Sequence, residues 1–128
     1  MKLFTLDEAN DLLPEVVGQL KEIQRLYSTI GIYRESARAA AVASEFGGGM
    51  QGGSRYVQAL YEVGKITTEL HELGVQLKDY SRGLIDFPSM KDGRVVLLCW
   101  QLGEYERIEW WHELEVGFDG RQRLSDEP

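Results

Sequence analysis

Between Asp86 and Arg121 the sequence gathers most of the side chains able to do chemistry: Asp86, Arg94, Cys99, Glu104, His112, Glu113 and Arg121, interleaved with all three tryptophans, Trp100, Trp110 and Trp111. A thiol, an imidazole and several carboxylates form a donor set that zinc accepts. Arg82, Arg94 and Arg121 near the loop Gly117-Phe118-Asp119-Gly120 would instead suit a small anion, through guanidinium forks and open loop amides. The candidate ligand-binding residues are therefore Asp86, Arg94, Glu104, His112, Glu113 and Arg121, and a narrower metal set would be His112, Glu113 and Cys99. No His-Glu-x-x-His or paired Cys-x-x-Cys is present, and the other histidine, His71, stands at no ligand interval. The simpler expectation is no metal and no cofactor, with His112 a strand histidine bonded to a carboxylate or backbone group and Cys99 a small core residue. On that reading the arginines pair with Asp86, Asp92 or Glu113, and the tryptophans cover the helices.

Whether these residues meet depends on strand register. If the hairpin pairs Gln101 with Glu106, then Val95, Leu97 and Cys99 share a face with Ile108, Trp110 and His112, because side chains alternate along a strand. Cys99 and His112 are then about two pairs apart, too far for contact, and no Cys-His nucleophile is expected.

The elements that must hold this region are marked by spacing and punctuation. Thr5-Leu6-Asp7-Glu8 is a capping box that starts a helix. Pro14 predicts a kink or restart soon after. Leu13, Val16, Leu20, Ile23, Tyr27, Ile30, Arg34, Ala37 and Ala41 follow the three-four spacing of a coiled-coil seam, whose apolar run Arg34 breaks. The glycine-rich stretch Phe46 to Gly53 breaks the helix and makes a hairpin tip, and without the Gly-Lys-Ser/Thr ending it is not a phosphate loop. A second helix, capped by Ser54, carries its own seam at Tyr56, Leu60, Val63, Thr67, Leu70, Gly74 and Leu77. The helices should measure about 45 Å and about 30 to 40 Å. Leu12, Val17, Leu26, Val57, Tyr61, Ile66 and Leu73 fall outside both seams, a surplus that a second copy of the chain would cover.

After Gly74, short runs rich in Val, Leu, Ile, Phe and Trp read as strands near Leu84 to Phe87, Arg94 to Gln101 and Arg107 to Glu113. Turns fall at Met90 to Gly93, where Asp92-Gly93 is the strongest hairpin signal, and at Leu102 to Tyr105. The expectation is one α+β domain spanning 1–128: a long antiparallel two-helix, coiled-coil-like hairpin over about 5–80, then a small antiparallel sheet of about three strands with its loop over about 84–121, and a frayed tail at 122–128.

Charge narrows the function. With 14 Lys and Arg against 21 Asp and Glu the formal net charge is -7, and no basic stripe offsets it, so nucleic acid is not expected as a partner. No run approaches membrane-spanning length and no signal-peptide pattern opens the chain, so no membrane role is expected. A single cysteine allows no internal disulfide and suits the reducing cytoplasm.

Phe4-Thr5-Leu6-Asp7-Glu8-Ala9-Asn10-Asp11-Leu12-Leu13-Pro14, Glu72-Leu73-Gly74-Val75-Gln76-Leu77-Lys78-Asp79, Arg82-Gly83-Leu84-Ile85-Asp86-Phe87-Pro88, Leu98-Cys99-Trp100-Gln101-Leu102-Gly103-Glu104, Trp111-His112-Glu113-Leu114 and Gly117-Phe118-Asp119-Gly120-Arg121 together resemble a bacterial family known as domain of unknown function 2203. The resemblance covers nearly the whole chain and implies a bacterial, cytoplasmic protein, but no activity, cofactor or partner. The sequence therefore points first to a non-enzymatic homodimer acting through protein contacts. The alternative is a metal- or anion-binding protein, or a small hydrolase, with its site on the C-terminal sheet.

Overall fold

The first helix begins where the capping box places it. In the computed structural model, which describes residues 1–43 and 53–124, Thr5 immediately precedes α1 (Leu6–Ala43). The Thr5 amide donates to Glu8 Oε1 at 2.8 Å and the Glu8 amide to Thr5 Oγ1 at 3.0 Å, so two first-turn donors are satisfied. No restart occurs at Pro14. α1 is one 38-residue helix with Pro14 inside it, about 57 Å long rather than about 45 Å. Pro14 is exposed, so water can serve the Asn10 carbonyl that it leaves without an intrahelical donor.

α2 (Gly53–Leu73) returns antiparallel to α1. Leu13, Val16, Leu20, Ile23 and Ile30 are buried as their spacing requires, but Leu26 takes the place expected of Tyr27. On α2, Ala59 and Leu70 are buried, Tyr56, Val63 and Ile66 pack beside them, and Leu60 faces outward. The cause is the drift of a 3.6-residue helix against a strict seven-residue seam. Tyr27, turned outward, stacks on Tyr80 with ring centroids 5.4 Å apart. Of the apolar surplus, Leu26 is buried and Leu12, Val17, Ile66 and Leu73 pack on the core, while Val57 and Tyr61 remain exposed. The expected glycine-rich tip from Phe46, the side chains of the seam positions Ala37 and Ala41, and the tail from Ser125 lie outside the described residues.

α2 stops at Gly74, whose φ of 95° is open to glycine at little cost. The Val75 amide donates to the Leu70 carbonyl and the Gly74 amide to the His71 carbonyl, both at 3.0 Å, while Leu70 and Val75 are both buried in the core. This is a Schellman cap with its hydrophobic contact. The chain then enters β1 (Gln76–Asp79), a strand in the stretch expected to be helical to about residue 80.

β1, β2 (Leu84–Lys91), β3 (Arg94–Gln101), β4 (Trp110–His112) and β5 (Gln122–Arg123) form one antiparallel meander in that order, five strands where about three were expected. Asp92 and Gly93, at φ 52° and 80°, make the tight β2–β3 turn. β2 runs through Pro88 because there it extends past β1. The Phe4 amide fills that edge by donating to the Pro88 carbonyl at 2.7 Å, and the missing proline N–H has no ladder bond to make. β5 pairs with Trp110 and Trp111 where a frayed tail was expected.

The meander has two unlike faces. Ile85, Phe87, Val96, Leu98, Trp100 and Trp111 point toward the bases of the helices and complete the main core with Leu13, Val16, Leu20 and Leu70. Leu84, Asp86, Leu97, Cys99, Trp110 and His112 alternate with them onto the other face, which the segment from Leu114 to Arg121 covers.

Candidate metal centre

Three strands each contribute one potential metal donor to the covered face. Asp86 on β2 stands directly opposite Cys99 on β3, and His112 on β4 stands opposite Leu97, one diagonal step from Cys99. All three are buried, at 2%, 0% and 2% exposure, so this is an enclosed polar cluster inside an apolar layer. Their nearest carboxylate oxygen, sulfur and ring-nitrogen atoms lie within 4.8 Å of one another, the one such group among the described residues. The expected separation of Cys99 from His112 is thus corrected. The observed register is displaced by two residues from the Gln101–Glu106 pairing, because residues 102–109 form a longer connection than the turn at Leu102 to Tyr105. A two-residue shift preserves the faces but carries His112 one pair closer to Cys99.

That connection is held by side-chain bonds. Trp100 Nε1 donates to the Tyr105 carbonyl at 2.7 Å, the Gln101 amide to Glu104 Oε1 at 3.1 Å, and the Ile108 amide to Asn10 Oδ1 on α1 at 2.7 Å.

The imidazole is oriented at both nitrogens. Nδ1 lies 2.9 Å from the Glu113 carbonyl, which can only accept, so Nδ1 carries a proton and donates it. Nε2 then faces both oxygens of Asp86, at 3.2 and 3.1 Å. A ring lone pair and a carboxylate cannot bond each other directly, so the position between them must hold a proton or a cation. Burial pushes the Asp86 carboxyl up, against the downward pull of His112. Burial, and next the neighbouring Asp86 charge, push the Cys99 thiol up to about 12. Without a cation Cys99 is therefore a thiol and not a nucleophile.

Arg121 closes the cluster from the far side. Its Nη1 lies 3.8 Å from Cys99 Sγ, and both terminal nitrogens bond the Glu104 carboxylate. The guanidinium carbon lies 4.5 Å from the Trp110 ring centroid and 4.1 Å from that of Phe118, so Trp110 covers this site, unlike Trp100 and Trp111 in the main core.

The sequence candidates therefore divide. Asp86 and His112 meet, with Cys99 in place of Glu113 as their third partner. Glu113 points away and accepts from Arg94 Nε at 2.9 Å, so it leaves the narrower metal set of His112, Glu113 and Cys99. Glu104 pairs with Arg121 beside the cluster. Arg94 sits at the opposite end of β3 from Cys99, so the expected anion cradle of Arg82, Arg94 and Arg121 does not assemble, although Arg82 and Arg121 both lie against Phe118. Sequence reasoning missed Lys78, which faces the cluster from β1. Its only available signal was the alternation of Gln76 and Lys78, hidden by the helical reading.

The arrangement defines an α+β protein in which a helical hairpin backs a five-stranded meander, with a buried Asp-Cys-His cluster on the sheet's other face. The chain belongs to the family described as uncharacterized conserved protein (DUF2203), whose model matches residues 2–124. No curated protein and no solved structure matches it.

Proposed function

We propose that this is a divalent-metal-binding protein in which Asp86, Cys99 and His112 bind one transition-metal ion of the zinc type. The carrying observation is the convergence of one sulfur, one nitrogen and one carboxylate within 4.8 Å, all buried. A tetrahedral zinc with bonds of about 2.0 to 2.3 Å places its donors about 3.3 to 3.6 Å apart, so closing the cluster needs side-chain shifts on the order of 1 Å. The Nδ1 bond to the Glu113 carbonyl fixes the tautomer that leaves Nε2 free to ligate. The mixed soft and nitrogen donors favour zinc or cobalt over magnesium or calcium. A dication with ionised Asp86 and Cys99 and neutral His112 is electroneutral, which suits an enclosed site. Tag-free protein is to be stripped, titrated with Co²⁺ and read for thiolate-to-cobalt charge transfer. One ion per chain is expected for the wild type, and none for Cys99→Ser at unchanged circular dichroism. A folded wild type with no stoichiometric metal overturns the reading.

A second reading concerns assembly. Val57, Leu60 and Tyr61, at 63%, 46% and 65% exposure, stand at i, i+3 and i+4 on α2 beside a hairpin core whose fully buried members, among the described residues, are Leu26, Ile30 and Ala59. Such a thin two-helix layer favours a second copy packing on that stripe, giving a homodimer. Light scattering should give twice the chain mass, falling to one chain in Val57→Glu/Tyr61→Glu, and a monomeric wild type removes the proposal. The buried free thiol of Cys99 supports a reducing, cytoplasmic location.

A further inference from the structure

We infer, on the basis of that metal reading, that the centre also binds a short-chain monocarboxylate, with its carboxylate on the metal and its alkyl tail in the adjoining cavity. Three protein donors leave a tetrahedral ion one corner free, the pattern of sites that admit an exogenous ligand. Beside Asp86, Cys99 and His112 lies a cavity of about 190 Å³, walled by Leu84, Leu97, Leu114 and Phe118. That volume is well below the roughly 300 Å³ at which pockets begin to take drug-sized ligands, so the occupant has only a few non-hydrogen atoms. The walls require most of it to be apolar.

The charge of the occupant follows from Lys78. Leu77 pairs with Ile85 and Asp79 with Leu84, which leaves Lys78 as the extra residue of a β-bulge. Bulges re-aim side chains beside functional sites, and here the side chain lines the cavity and acts electrostatically on Asp86. With the metal and its three ligands neutral, Lys78 leaves one uncompensated positive charge at the pocket, which one carboxylate balances. Entry is open at the same side, since Lys78 is exposed and Leu114 is 52% exposed, whereas Leu84 and Leu97 are buried. Phe118 is a fixed wall, with the guanidinium carbons of Arg82 and Arg121 each 4.1 Å from its ring centroid.

The test is a titration of the Co²⁺-loaded protein with butyrate and with acetate, followed in the visible cobalt bands. Butyrate should shift them saturably and bind about tenfold tighter than acetate, the effect of burying two further methylenes. Lys78→Ala should retain the cobalt and weaken butyrate at least tenfold. A thiolate-to-cobalt band that butyrate does not move overturns the pocket and leaves the metal reading intact. Equal affinity for the two acids with no effect of Lys78→Ala also overturns it, since that is simple exchange at the metal. Absence of any thiolate-to-cobalt band overturns both.

Discussion

His112 Nε2 lies 3.1 and 3.2 Å from the two carboxylate oxygens of Asp86, while Nδ1 is held by the Glu113 carbonyl, so a single proton or cation must sit between ring and carboxylate. Without metal that proton is shared inside a buried layer, and Asp86→Asn supplies a permanent N–H in its place. Because burial raises the Asp86 carboxyl, its contribution to stability is full below its unfolded value and is lost as pH rises through the folded one. Metal-free Asp86→Asn should therefore equal or exceed the wild type in urea unfolding at pH 8, by on the order of 1 kcal/mol, and lose that advantage toward pH 4. An Asp86→Asn protein less stable than wild type at pH 8 would show that the ionised pair itself holds the sheet.

Metal uptake should release protons. The raised Cys99 thiol must give up its proton to ligate, so at least one proton should leave per ion and affinity should climb with pH. Calorimetry in buffers of differing ionisation enthalpy counts them. Release of none would mean that the ion binds elsewhere.

Cys99 should resist alkylation in the metal-free fold. A thiol at about 12 is four pH units from ionising at pH 8, so about one molecule in ten thousand carries thiolate, and the sulfur is buried as well. Iodoacetamide monitored by mass spectrometry should modify it at least a thousandfold faster in denaturant. Rapid modification of the folded protein would contradict a thiol held protonated.

The two arginine–glutamate pairs should behave differently. The side chains of Arg121 and Glu104 are 13% and 18% exposed, and Arg121 also lies against two rings, so Arg121→Ala should cost about 2 to 4 kcal/mol. Arg94 and Glu113 are more open to solvent, and Glu113→Gln should change the unfolding midpoint little and less still in high salt. Equal losses from both pairs would remove the structural distinction between them.

Gly83 should not tolerate a side chain. Its φ is 62°, and a Cβ there would lie 2.6 Å from Leu102 Cδ1, the residue whose amide donates to the Gly83 carbonyl. Gly83→Ala should destabilise by about 1 to 3 kcal/mol through backbone strain and displacement of Leu102, while Gly93→Ala, with open space around it, should cost only the backbone strain. Thermal melts of the two variants decide it.

Much of this architecture was written locally. The Thr5–Glu8 capping box, the Asp92-Gly93 turn and the alternation through Leu97, Cys99, Trp110 and His112 depend on neighbours in sequence, and each is found where spacing puts it. What depended on distant partners was not readable. Tyr27 and Leu26 differ by one residue along a drifting helix, and only α2 decides which is buried. β1 was hidden because Leu77 continues a helical seam, and the deciding signal, Gly74 at positive φ, was outweighed by that periodicity. The cluster was obscured by a two-residue register error, since nothing local to residues 102–109 reveals that Asn10 on α1 anchors the Ile108 amide.

The described interior divides into two apolar clusters that meet at Ile66, and the two should open at different free energies. One joins the helix bases to the sheet through Leu13, Leu20, Leu70, Phe87 and Trp100, and the other, among the described residues, holds the outer hairpin with buried Leu26, Ile30 and Ala59 and half-buried Tyr56, Val63 and Ile66. Amide hydrogens around Ala59 should thus exchange through a low-energy sub-global opening, while those of β2 and β3 wait for complete unfolding. The hairpin arm can open and reclose with the three ligand strands still assembled.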